Sequence, residues 1–280
     1  MSPALLALSA SLSWGVADYL GGIYSRRLHP LAVLLVVDVA GFLPVVPFAL
    51  LHDHESLTWK VALLASAGAV SGGTGLLAFY RGMSIGAIPI VAPITGLSPI
   101  IPITVGLATG DDPSRWQELG FALALLGTIL AAREQHPETG RTRVASGVGL
   151  ALVAMVCFGG YFVVIHAAAQ DDSFWTLVVF RAAAALFAAS VVLAVRPSLR
   201  MAGGTLAVLV CAALLDLGGS IGYTLASRHG ELSIVAVLAA LYPLTMVVLA
   251  TVVGRERVAR TQLAGGCAAL AGVALVVGGG

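Results

Sequence analysis

The sequence predicts an all-α integral membrane protein with ten transmembrane helices, arranged as two inverted five-helix repeats. Three observations support this fold class: the composition, a series of long apolar stretches, and a repeat that relates the two halves. Hydrophobic residues make up 59% of the 280 residues and charged residues only 10%, whereas soluble proteins carry about 25% charged residues. The net charge of +1 does not supply the dense basic surface that nucleic-acid binding requires. Lipid is therefore the expected surrounding.

The apolar stretches have the length of membrane spans. A spanning helix needs about 20 mainly apolar residues to cross a hydrocarbon core of about 30 Å, and it satisfies its backbone polar groups internally. Charged and turn residues divide the chain into ten such stretches. Those of the first half are 3–24, 31–51, 59–80, 87–108 and 116–132. Those of the second half are 145–168, 174–195, 203–226, 232–253 and 261–278.

A polar segment, 134–144, combines charged residues, proline and glycine, as linkers do. It separates a first repeat, 1–133, from a second, 145–280. One offset of 144 residues aligns the two repeats without a gap. It pairs Gly15 with Gly159, Gly75 with Gly219, Gly86 with Gly230, 90–92 with 234–236, Pro99 with Pro243, Trp14 with Phe158 and Phe79 with Tyr223. Since five is an odd number, the repeats enter the membrane in opposite orientation, which is typical of secondary transporters.

The basic residues give an expectation for orientation, because cytoplasmic loops are enriched in arginine and lysine. The odd-numbered loops between the predicted spans carry eleven of these residues and the even-numbered loops three. This count favours odd loops in the cytoplasm and both termini outside.

Three short motifs carry a resemblance to a known family. They are Trp14-Gly15 in the first span, Pro99 and Pro243 in the fourth and ninth spans, and Gly254-Arg255-Glu256-Arg257 before a glycine-rich last span. With these, nearly the whole chain resembles the EamA-type members of the drug/metabolite transporter superfamily. The first repeat departs from the pattern, with Gly-Asp-Asp-Pro at 110–113. The resemblance implies cytoplasmic termini, so it disagrees with the charge count, and both orientations stay open.

The resemblance also implies a solute cavity between the repeats, lined by the first, third, fourth, sixth, eighth and ninth spans. Glycine-rich clusters lie at matching places in two of these spans, at 72–75 and at 218–220. Close helix packing explains such clusters, and so does a direct place at the cavity wall.

Four ionisable residues stand out within the predicted spans, because an ionisable side chain at the middle of a spanning helix costs at least about 2.5–3.5 kcal/mol on insertion scales. They are Asp18, Asp38, Arg181 and Asp216. Asp18 is the first candidate for proton coupling, because a carboxyl in low dielectric can bind and release a proton near neutral pH and because Asp18 shares a helix face with Trp14. The alternative for Asp18 is an interface anchor near Arg26 and Arg27. Asp216 aligns with Gly72, so a charge breaks the repeat symmetry there.

Asp38 is expected to lie outside the cavity, because the second span is not among those that the resemblance implies. Arg181 lies next to its aligned position in the second repeat. A possible ion pair between Asp38 and Arg181 follows from a twofold arrangement of the repeats.

Aromatic residues complete the candidate site. Trp14 offers an indole face, and Tyr161, Tyr223 and Tyr242 offer phenolic hydroxyls to a solute. Tyr80, near the end of a predicted span, is expected to anchor the membrane interface. The segment His52-Asp53-His54-Glu55 and the three cysteines lack the ligand sets of metal sites. No metal or cofactor is expected.

The leading hypothesis is a non-enzymatic secondary transporter in the cell (inner) membrane, an exporter or exchanger of a small metabolite or drug, with protons as a candidate coupling ion. Its expected partners are a small-molecule solute and membrane lipid. An intramembrane aspartyl enzyme and a lipid scramblase or membrane scaffold are the alternatives. Substrate, direction of transport and oligomeric state stay open.

Overall fold

Helices form the regular structure throughout the part of the chain that the computed structural model describes, which comprises residues 1–51, 57–85, 91, 94–132, 141–253 and 260–279. The first repeat contributes α1 (Pro3–Ser25), α2 (Pro30–Phe42), α3 (Val45–Leu51), α4 (Trp59–Ser84), α5 (Ile100–Thr109) and α6 (Arg115–Ala132). The second contributes α7 (Arg141–Asp171), α8 (Ser173–Val195), α9 (Gly203–His229), α10 (Leu232–Ala239), α11 (Tyr242–Val252) and α12 (Arg260–Gly278). The segments 52–55, 86–90 and 254–257, together with Pro93 and most of the predicted linker, lie outside the described residues.

Side chains cap the starts of several of these helices. The Ser2 hydroxyl accepts a hydrogen bond from the backbone N–H of Leu5 at the start of α1 (3.3 Å), ahead of Pro3 at the first helical position. The Asp172 carboxylate accepts one from Trp175 at the start of α8 (2.9 Å). Such caps satisfy backbone donors that a helix start leaves without a partner, and they fix where a loop passes into a helix.

Proline marks the interruptions of the predicted fourth and ninth spans. A turn at 96–99 ends on Pro99, just before α5. In the second repeat, α10 ends at Ala239, and Pro243 stands in the first turn of α11. Proline suits a helix start because its missing N–H would have no partner there. The two spans are therefore interrupted at places that the 144-residue offset relates.

Six stretches are long and apolar enough to cross a membrane, within the described residues. They are Pro30–Leu51, Trp59–Ser84, Val148–Asp171, Ser173–Val195, Gly203–His229 and Leu232–Leu249. The chain is thus an all-helical, multi-pass membrane protein. The count of ten spans and their inverted arrangement remain proposals.

The two repeats pack against each other through helix pairs that the 144-residue offset exchanges. α1 packs on α9, and α7 packs on α4. A Cβ atom added to Gly15 would lie 2.7 Å from the carbonyl oxygen of Tyr242, and one added to Gly159 would lie 2.8 Å from that of Ser98. Gly15 is 144 residues before Gly159, and Ser98 is 144 before Tyr242. The same backbone contact therefore occurs twice.

Two further contacts join the repeats away from this centre. α6 packs along α12, where a Cβ atom added to Gly272 would lie 2.5 Å from the backbone nitrogen of Ala124. The loop before α6 reaches the start of α10, since the Asp111 carboxylate accepts a hydrogen bond from the backbone N–H of Ser233 (2.8 Å). The repeats are thus joined at several places along the bundle.

Candidate functional site

A cavity lies among helices of both repeats, and α1, α2, α4, α7, α8, α9 and α11 contribute its lining. About 80 Å³ of it is open to the centres of water molecules, which is room for several waters or a small solute. The lining includes residues of α2 and α8, the second and seventh spans, which were not expected there. No described residue of the fourth span (91 and 94–108) is part of it.

Aromatic rings form much of the cavity wall: Trp14, Phe158, Tyr161, Phe162, Phe180 and Tyr242. The rings of Trp14 and Tyr161 meet edge to face with centroids 6.0 Å apart. Those of Phe158 and Tyr242 do so at 6.3 Å. Such edge-to-face contacts stabilise aromatic clusters beyond their buried area. The wall is therefore mainly apolar, and its rings pack against one another.

Glycines determine where the rings of Trp14 and Phe158 lie, two residues that the 144-residue offset relates. A Cβ atom added to Gly219 would lie 2.5 Å from the Trp14 ring, and one added to Gly75 would lie 2.9 Å from the Phe158 ring. Each aromatic residue thus packs directly on a helix backbone of the other repeat. The paired glycines of the predicted clusters serve close packing, while Gly72 and Gly73 also line the cavity.

Arg181 and Asp216 form an ion pair beside the cavity. One guanidinium nitrogen of Arg181 donates to the Asp216 carboxylate at 2.6 Å, and the other donates to the backbone carbonyl of Asp216 at 2.7 Å and to the Ser220 hydroxyl. Arg181 is 1% exposed, whereas the Asp216 side chain is 19% exposed. Asp216 lines the cavity and Arg181 does not. Arg181, which does not line the cavity, therefore holds the Asp216 carboxylate in place and balances its charge.

The ion pair differs from the one predicted between Asp38 and Arg181. The guanidinium passes α2 at Gly41, where a Cβ atom would lie 3.1 Å from it, and reaches Asp216 on α9. The pairing predicted from aligned positions was wrong because it ignored the length of the arginine side chain, which spans from α8 past α2 to α9. Asp38 instead lines the cavity, contrary to the expectation that it would lie outside.

Asp38 and Asp18 are the two other carboxylates at the cavity. They are 5% and 9% exposed. One oxygen of Asp38, Oδ2, is buried and has no hydrogen-bond partner among the described residues. Asp18 lies one helical turn beyond Trp14, as the spacing predicted, and both line the cavity. Asp216 lies close enough to repel both carboxylates, and Arg181 lies close enough to attract Asp38. The site therefore combines three carboxylates with one guanidinium.

Two tyrosines lie elsewhere than expected. Tyr223 was a candidate for solute binding, but it is fully buried behind the wall, where its hydroxyl donates to the carbonyl of Phe162 (2.7 Å). Tyr80 was expected at the interface, but it is 1% exposed and its phenol lies against Gly21 of α1. The absence of a side chain at Gly21 admits the ring into the core.

Three wall residues, Phe158, Phe162 and Phe180, were not predicted as solute contacts. Ser220 was predicted only as part of the second glycine-rich cluster, and it lines the cavity. Phe158 was recognised only as the counterpart of Trp14. The offset could have indicated Phe162, since it lies 144 residues after the candidate Asp18, and both line the cavity.

A sequence model of the EamA-like transporter family matches the chain twice, over residues 1–133 and 145–278. The chain belongs to the EamA-like transporter family. This confirms the resemblance read from the sequence and assigns the protein to the membrane transporters of the drug/metabolite superfamily. One solved structure, described only as a crystal structure of a protein, has a TM-score of 0.80 over 98% of this chain and 95% of its own, at 15% identity. At such low identity, this similarity shows only that the two chains share a fold. No curated protein matches the chain.

Proposed function

We propose that this EamA-like protein is a secondary active transporter that exports or exchanges a small metabolite or drug across the cell (inner) membrane by alternating access. The observation that carries the proposal is the cavity with three carboxylates among helices of both repeats. Ionisable groups within membrane spans are costly and mark solute or proton pathways. Family membership disfavours the aspartyl enzyme and the scaffold, since EamA-like proteins are transporters.

Ten spans in two inverted repeats fit this mechanism. The doubled contacts of Gly15 with Tyr242 and of Gly159 with Ser98 support a pseudo-twofold axis between the repeats. Four pairs of lining positions obey the same offset: Trp14 with Phe158, Asp18 with Phe162, Gly72 with Asp216 and Leu76 with Ser220. A solute held at such an axis can be exposed to either side when one repeat rocks against the other.

The carboxylates at the cavity differ in how they can take part in proton coupling. Arg181 holds Asp216 in an ion pair with short hydrogen bonds. Asp18 is buried at the cavity, and no ion pair involves it among the described residues. Asp38 is equally buried and has no ion pair among the described residues. We assign proton exchange to Asp18, which lies one helical turn beyond Trp14 at the cavity wall, and we propose that Asp216 keeps the site polar throughout the cycle.

Reconstitution tests the proposal. The purified protein is placed in liposomes that contain a pH-sensitive dye, and amino acids, nucleosides, sugars and cationic drugs are added outside in turn. We expect at least one solute class to move and to change the internal pH, and Asp18→Asn to uncouple the pH change. We expect Asp216→Asn to abolish solute movement. Asp171→Asn, which removes an exposed partner of Lys60 (2.8 Å), serves as the matched control. Absence of any solute movement by the wild type would contradict the proposal.

A further inference from the structure

The charges at the cavity are unbalanced. Asp18, Asp38 and Asp216 line it, whereas no lysine, arginine or histidine does so among the described residues. Arg181 is 1% exposed, and two of its nitrogens are engaged by Asp216 and Ser220. An anionic solute would therefore meet repulsion without a free counter-ion.

Asp38 supplies a second, independent observation. It is 95% buried and lines the cavity, and its Oδ2 atom has no hydrogen-bond partner among the described residues. Leaving a buried carboxylate without a partner is costly, so such groups bind a proton or a cation. Asp216 already has Arg181, but no ion pair satisfies Asp38 in the described chain. A cationic solute would provide the missing partner.

The wall around these carboxylates is suited to a cation. Rings of Trp14, Tyr161 and Phe180 line the cavity and contact one another, with Tyr161 and Phe180 centroids 5.3 Å apart. Aromatic faces attract cations at about 6 Å or less from the ring centroid. Phe180 already has such a contact, since the guanidinium carbon of Arg181 lies 5.3 Å from its centroid. The wall thus offers both charge and aromatic faces.

We propose that the cavity binds small organic cations, with Asp38 as their counter-ion and the aromatic wall as their cage. This inference rests on the proposed transport function and names its substrate class. Amines and quaternary ammonium compounds have the right charge and a partly apolar surface. The cavity volume of about 80 Å³ favours small members of this class.

Equilibrium binding to the purified protein tests this inference. The probes are radiolabelled choline and tetramethylammonium, and the competitor is 3,3-dimethyl-1-butanol, which has the shape of choline without its charge. We expect saturable binding of the cations and competition by the neutral analogue that is at least about tenfold weaker, because it lacks the ionic and cation–π contacts. This comparison uses the wild type, so it does not depend on the folding of a variant.

Variants locate the counter-ion. We expect Asp38→Asn to weaken choline binding at least about tenfold, Asp38→Glu to retain part of it, and Asp171→Asn to bind as the wild type does. Equal competition by the neutral analogue, no saturable binding of either cation, or unchanged binding by a folded Asp38→Asn would overturn the inference. If neutral or anionic solutes move in the liposome screen while the cations do not bind, the substrate class is wrong and the transport function stands. If nothing moves, the transport proposal itself fails.

Discussion

The helix packing between the repeats and the lining of the cavity differ in symmetry. Packing contacts occur at equivalent positions in both repeats, whereas each charged residue at the cavity lacks a charged counterpart. The packing is shared closely: Gly15 and Gly159 make the same backbone contact, and Trp14 and Phe158 pack on Gly219 and Gly75. These positions are all related by the 144-residue offset. The repeat therefore explains how the helices come together around the cavity.

The charges are not shared at all. At the same offset, Asp18 corresponds to Phe162, Asp38 to Ala182, Asp216 to Gly72 and Arg181 to Val37. Every charge at the site thus has an apolar counterpart in the other repeat. The repeat therefore provides a common scaffold, while the chemistry depends on residues present in one copy only.

The largest loss of stability and transport is expected when the ion pair of Arg181 and Asp216 is broken, a pair that has no counterpart at the aligned positions. Arg181→Leu would leave Asp216 charged without its partner, which costs about 3–5 kcal/mol when the pair is buried. We expect a strongly lowered melting temperature of the purified protein and loss of transport. The double variant Arg181→Leu/Asp216→Leu should recover much of the stability but not the transport. Equal destabilisation in the single and double variants would show that Arg181 serves packing rather than charge.

Substitutions in the shared packing are expected to have intermediate effects. Gly15→Ala and Gly159→Ala each push a methyl group against a backbone carbonyl, at 2.7 and 2.8 Å, and such overpacking costs about 1–3 kcal/mol. The two variants should lower the melting temperature by similar amounts. Gly149→Ala is the control, because nothing lies within 4 Å of the added Cβ atom. A loss confined to one of the two variants would break the equivalence of the repeats.

The sequence was sufficient to predict the shared part of the structure. The all-helical membrane class, the offset and the family followed from composition, apolar stretches and aligned landmarks. The i, i+4 spacing also placed Trp14 and Asp18 on one face, and both line the cavity. These features depend on local periodicity or on repetition, which a sequence displays directly.

The unshared part was only partly predictable. The partner of Arg181 depends on how far its side chain extends past Gly41, and the sequence does not display that path. Asp38 was placed outside the cavity because spans were assigned to the lining as whole helices, although a packed helix turns one face inward. Tyr80 and Tyr223 were misplaced because burial depends on which backbone lies opposite, as Gly21 does for Tyr80.

The smallest effect on stability is expected from Glu231, which lies outside the spans, where the loop before α6 meets the start of α10. Partial burial, together with the negative charges of Asp111 and Asp112, raises the pKa of Glu231 above its ordinary value of 4.5. A raised pKa in the folded state favours the protonated form, so the ionised side chain destabilises the fold. Stability should therefore fall as pH rises through the range above 4.5, and this loss should be absent in Glu231→Gln.

Melting temperatures of the wild type and Glu231→Gln between about pH 4 and pH 8 test this sign. Because Glu231 is largely exposed, the difference in stability between the wild type and Glu231→Gln should not exceed the roughly 0.5 kcal/mol typical of surface positions. A difference that does not change with pH, or one in which the wild type gains stability as pH rises, would contradict the electrostatic explanation.

Accessibility of the cavity from both sides of the membrane is the most direct test of alternating access. A single cysteine is introduced at Leu76, which lines the cavity, in a background where Cys157, Cys211 and Cys267 are replaced. Leu63→Cys on the same helix is the control, since Leu63 is 59% exposed on the outer surface. We predict that a membrane-impermeant thiol reagent labels the cysteine at position 76 when added to either side of proteoliposomes. Labelling from one side only, under all conditions, would contradict the account.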